Sequence, residues 1–153
     1  MFMKYNFELL KVTRTNMLNL VKGLSFESLT NIPKGFNNNI QWNFCHTILV
    51  QHLLCYKLSG IPFDIEPEVI NRYSKGTKAN PNMLKSDFEF FKTIALTSVE
   101  ELERRYNKNV FKVFNPYSTS YNITLNSIEE AITFNNVHES LHVGYILALK
   151  KAL

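Results

Sequence analysis

The chain has 153 residues, 45% of them hydrophobic, which is enough for one core and too little for two, so one domain over residues 1–153 is expected. No apolar run approaches the roughly 20 residues a bilayer-spanning helix needs, which argues against a membrane partner. The net charge of +4 comes from 17 basic residues without a dense run, and Arg104-Arg105 is offset by Glu100, Glu101 and Glu103, so nucleic acid is not an expected partner. The start, Met1-Phe2-Met3-Lys4-Tyr5-Asn6, lacks the features of a secretion signal, and a cytoplasmic location is the expectation. Cys45 and Cys55 offer neither a disulfide scaffold nor a C-x-x-C motif and read as buried thiols.

Four segments show helical periodicity. The first runs from about Tyr5 to Lys22, with Phe7, Leu10, Met17, Leu18 and Val21 near one face and Gly23 as its stop. After a connector holding Pro33 and Gly35, Asn39 is placed to cap a strongly apolar second helix from Ile40 to about Ser59, closed by Gly60 and Pro62. A third is expected from Asn80-Pro81 to about Tyr106, through Leu84, Phe88, Phe91, Ile94, Val99 and Leu102. The fourth opens on Ser127-Ile128-Glu129-Glu130, an S-x-x-E capping box, and runs to the C-terminus, where Lys150 and Lys151 suit the negative end of the helix dipole. The connections 61–79 and 108–126 exceed the usual 2–8 residues of a bundle, and long loops often shape a site. No segment has the alternation of a strand.

The fourth helix carries His138-Glu139-Ser140-Leu141-His142. Residues four apart on a helix stand one turn apart on one face, so both imidazoles can reach a single metal ion. Read literally, this is also the H-E-x-x-H pattern of metallopeptidases, with Glu139 as the group that activates a water. Such enzymes usually take a third ligand from a downstream His or Glu, and Val143–Leu153 holds neither. A third ligand must come from upstream. Of the two remaining histidines, His46 is the better candidate, while His52, about 120° further around the same helix, cannot share its site and reads as structural or exposed. A solitary histidine on an apolar helix is more often a satisfied core residue than a ligand, and Glu139 reads more readily as a solvated or salt-bridged carboxylate than as a catalytic one. Asn135, Tyr145 and Asn43 lie near the histidines in helical register, with bundle packing as their simpler role.

Three stretches, Asn39-Ile40-Gln41-Trp42-Asn43-Phe44-Cys45-His46, Leu58-Ser59-Gly60 and His138-Glu139-Ser140-Leu141-His142-Val143-Gly144-Tyr145-Ile146, together with Pro33, Tyr73 and Gly76, resemble the DinB-like superfamily over essentially the whole chain. The resemblance implies an all-α fold, a four-helix bundle of unusual topology with long inter-helix loops. It also implies a metal site formed by His46, His138 and His142 that holds a divalent ion, nickel or zinc, with water or substrate completing the coordination. Relatives that use low-molecular-weight thiols suggest a metal-dependent enzyme acting on a small-molecule substrate, activating a thiol or water for transfer or hydrolysis. A non-catalytic, metal-stabilised bundle acting through protein contacts is the alternative. The family often forms homodimers.

Overall fold

A computed structural model describes residues 2–80 and 83–153. The architecture is all-α. Helices α1 (Phe2–Val21), α3 (Ile40–His52), the pair α5 (Lys85–Ile94) and α6 (Thr97–Asn107), and α7 (Ile128–Ala152) form the bundle. Short helices α2 (Phe26–Thr30) and α4 (Pro67–Tyr73) lie in the connections.

Helix α3 is the central element. Every residue from Ile40 to Leu49 is buried, because α2, α4, α5 and α7 all pack against it. Its polar residues therefore need internal partners. The Asn39 side chain accepts from the Trp42 N–H and caps the helix, as its position suggested. The Gln41 amide donates to the Tyr73 hydroxyl and the Leu84 carbonyl, and Thr47 donates to the Asn43 carbonyl. The helix does not continue unchanged to Ser59. Residues Leu53–Lys57 form a π turn, with the Leu58 N–H reaching back five residues to the Leu53 carbonyl, and Gly60 ends it at φ 66°.

Helix α1 buries the stripe Phe7, Leu10, Arg14, Met17 and Val21 against α7 and α6, and ends at Val21 ahead of Gly23. Helix α7 opens on Ser127, whose hydroxyl accepts from the Glu130 N–H. The Glu130 carboxylate reaches back to the Asn126 N–H, one residue before the position a capping box ordinarily serves.

Three connections differ from the periodicity-based expectation. The continuous helix expected from Asn80-Pro81 to Tyr106 is two helices. Pro81 lies outside the described residues, and α5 begins at Lys85. The chain bends at Ala95-Leu96, where the Val99 and Glu100 N–H groups both turn to the Leu96 carbonyl and the Ala95 carbonyl accepts from Arg14 instead. The loop after α3 contains α4, started by Pro67 in its first turn. The loop before α7 contains an antiparallel ladder of two-residue strands, β1 (Tyr117–Ser118) and β2 (Thr124–Leu125), too short to alternate visibly in sequence.

Candidate metal centre

Helix α7 packs directly on α3, and this contact brings the three histidines together. The His46, His138 and His142 rings lie with centroids 4.6–5.2 Å apart, and one ring nitrogen from each falls within 4.8 Å of the other two. Three nitrogens bound at about 2.1 Å to one tetrahedral ion would stand about 3.4 Å apart. The difference is within what small rotations of the rings supply.

Two of the three rings are oriented by a hydrogen bond at Nδ1, each to a different acceptor. His46 Nδ1 lies 2.6 Å from the Tyr73 carbonyl oxygen. A carbonyl only accepts, so Nδ1 carries the proton and Nε2 keeps its lone pair. The Trp42 indole lies flat on the same ring, centroids 4.4 Å apart and planes at 13°, and is itself held by a hydrogen bond to Thr77. His142 Nδ1 lies 2.8 Å from Asn43 Oδ1. The Asn43 amide nitrogen donates to the Asn39 carbonyl, which fixes the flip of that amide and makes Oδ1 the acceptor for His142. His142 too therefore presents Nε2. His138 has a buried Nδ1 without a hydrogen-bond partner among the described residues. An unpaired ring nitrogen beside two imidazoles whose lone pairs converge fits a group built around a cation.

Burial sets the charge state. It pushes the pKa of His142 down to about 3 and that of His138 to about 2, with the neighbouring imidazoles adding repulsion in both. The His46 pKa is also lowered by burial, against the opposing hydrogen bond to Tyr73. All three rings are neutral at ordinary pH and present lone pairs, the form a metal ion requires. Three imidazoles suit zinc, nickel, copper or iron better than magnesium or calcium, which prefer oxygen donors.

The other candidates fall elsewhere. The Glu139 carboxylate is fully buried and forms a two-pronged ion pair with Arg14, at 2.7 Å from each oxygen, and accepts from Asn135 as well. It is not part of the ligand group. Asn135 thus serves Glu139, and Tyr145 packs edge-on against Phe36 at 5.6 Å. His52 is buried rather than exposed, with Nδ1 2.9 Å from the Ile48 carbonyl and its ring stacked on Tyr56. Cys45 and Cys55 are free and buried, and burial raises both thiols, so neither offers a thiolate.

A cavity of about 540 Å³ opens beside the three histidines. Val50, Leu53 and Leu54 of the α3 side and Phe134 and Leu141 of α7 form its apolar walls, and the loop between β1 and β2 adds Tyr121, whose ring meets Phe134 edge-on at 5.6 Å. A pocket of this size and lining is typical of small-molecule sites. The sequence pointed to the histidines and to long loops around them. It did not single out Arg14, although a charged residue in the stripe Phe7, Leu10, Met17, Val21 was a visible anomaly.

No helix among the described residues is long and apolar enough to cross a membrane. No curated protein matches the chain. The family model of the DinB superfamily matches residues 9–146, a span that includes all three histidines, the whole of α3 and most of α7. By that match, the chain belongs to the DinB superfamily.

Proposed function

We propose that this protein is a metal-dependent enzyme that holds a divalent ion, nickel or zinc, on His46, His138 and His142 and activates a thiol or water for transfer or hydrolysis of a small-molecule substrate. The observation that carries this reading is the convergence of three neutral imidazoles on the wall of an apolar cavity large enough for a substrate. An ion of this kind lowers the pKa of a coordinated water toward 7 and deprotonates a coordinated thiol outright. The chain supplies the remaining parts. Asn43 and the Tyr73 carbonyl hold two of the rings in the tautomer that faces inward. The Leu and Phe walls offer a substrate an apolar surface beside the histidines, and three protein ligands among the described residues leave coordination room for substrate.

Glu139 has no part in proton transfer in this scheme. A glutamate that relays a proton must exchange partners, and both oxygens of this one are committed to a buried guanidinium. That weighs against use of the H-E-x-x-H sequence as a peptidase motif.

The test is a turnover assay of nickel- and zinc-loaded protein against low-molecular-weight thiols paired with electrophiles, and against esters and amides. Turnover with at least one class, abolished in His142→Ala, is expected; inactivity across the panel would overturn the enzymatic reading. A metal-stabilised bundle working through protein contacts is then the second reading. It is favoured by the exposed apolar stripe Tyr5, Leu9 and Val12 on α1, which also suits a second copy of the chain. Light scattering at twice the 17.8 kDa of one chain would support that homodimer.

A further inference from the structure

The cavity beside the histidines has an asymmetric charge lining. Among the described residues, its only ionisable groups besides the three imidazoles and two tyrosines are Lys57 and Lys75, and no Asp or Glu lines it. Neither lysine is in an ion pair among the described residues, whereas Lys11, Arg14, Arg72, Lys92, Arg104 and Arg105 all are. Both stay hydrated, as their exposure requires, and both are free to meet a ligand.

Their positions set the ligand's shape. Lys57 ends the π turn that follows α3, eleven residues after His46, which is about 16 Å along a helix. Lys75 lies two residues beyond Tyr73, the residue whose carbonyl holds the His46 ring, in the loop that turns through Gly76. The apolar side chains Val50, Leu53, Leu54 and Leu58 line the same cavity. A ligand that fills this space has an apolar body and a negative charge. A cationic ligand would meet two lysines and no carboxylate, and a fully polar one would leave the leucines wet.

We infer that the cavity binds an amphipathic organic anion, a carboxylate on an apolar chain or ring, whose charge is drawn by the positive field of Lys57 and Lys75 at the cavity wall. This deepens the enzymatic reading and rests on it for the identity of the reacting end, since the histidines lie in the same wall. The charge selection itself belongs to the lysines. They raise the local concentration of anionic substrate and orient its apolar part along the leucines.

Isothermal titration of octanoate and 1-octanol, chosen as probes of equal chain length, tests this with wild type and K57M/K75M, each zinc-loaded and chelator-treated. Methionine keeps the apolar stem and removes the charge. Octanoate is expected to bind wild type roughly five- to tenfold more tightly than octanol, with the preference falling at high salt and vanishing in K57M/K75M. Octanol affinity should be unchanged in that variant, which also shows that it is folded. Equal binding of the two probes by wild type would overturn the inference, as would a preference that survives in K57M/K75M. A preference present only with zinc and indifferent to the lysines would place the carboxylate on the metal, defeating this inference while supporting the metal site. A lysine-dependent preference in protein that takes up no zinc would do the reverse.

Discussion

Asn43 decides which nitrogen of His142 faces the other two rings. Its amide is locked by the Asn39 carbonyl, so its oxygen can only accept. Asn43→Ala would leave His142 free to rotate and to change tautomer, and partners of this kind are worth roughly 10–100-fold in metal affinity. Competition against a chelator should show a loss of that size with little change in fold. Glu139 behaves differently. Its removal strands a guanidinium with no exposed surface, so Glu139→Gln should destabilise the protein by about 3–5 kcal/mol in urea denaturation. Unchanged stability with abolished turnover would instead make Glu139 the proton acceptor that the H-E-x-x-H reading suggests. His52 gives a pH signature apart from the metal centre. Burial pushes its pKa down to about 4, with the charge of Arg14 adding, against the opposing hydrogen bond to Ile48. In the unfolded chain the ring returns to near 6.5 and binds a proton that the folded state refuses, so stability is full above that value and is lost as pH falls through about 4. The total is on the order of 3 kcal/mol. His52→Phe, which preserves stacking on Tyr56, should flatten the stability profile over that window, and an unchanged slope would contradict the assignment.

At the scale of elements, the bend between α5 and α6 shows where periodicity stops being informative. Ile94-Ala95-Leu96-Thr97-Ser98 contains no Pro or Gly, and nothing local breaks the helix there. The break is imposed from α1, by the Arg14 guanidinium taking the Ala95 carbonyl, and from α3, by Gln51 taking the Ser98 carbonyl. Long-range hydrogen bonds of this kind leave no trace in a window of neighbouring residues. The caps at Asn39 and Ser127 and the stop at Gly23 were legible because their partners lie within a turn. Helix α4 depends on similar long-range ties. Arg72 and the Tyr73 hydroxyl both bind the Asp87 carboxylate of α5, and this pins the Tyr73 carbonyl against His46. Asp87→Ala should therefore act twice. A loss of about 2 kcal/mol is expected from the stranded buried hydroxyl and the broken pair, together with weaker metal binding through a loosened His46. If denaturation shifts while metal affinity stays constant, α4 stabilises the bundle without positioning the ring.

Across the whole molecule, the three histidines were legible because their chemistry and their spacing on α7 are local, and because His46 sits on the most apolar helix of the chain. Their meeting is a property of the α3–α7 contact, which no single helix encodes. The cavity was legible only as long loops, since its walls come from four separate stretches of the chain and its lysines look unremarkable in sequence. A belt of buried polar groups, Arg14, Gln51, Asn135 and Glu139, crosses the bundle next to the histidines and fixes α1, α3, α6 and α7 in one register. In this account the belt holds the helices so that the imidazoles meet, and the imidazoles hold the ion. Elemental analysis of purified protein beside His46→Ala and His142→Ala tests that most directly. About one divalent ion per wild-type chain, depleted in both folded variants, is the predicted result. A stoichiometric ion retained by the His46→Ala protein would show that α3 and α7 do not share a metal centre.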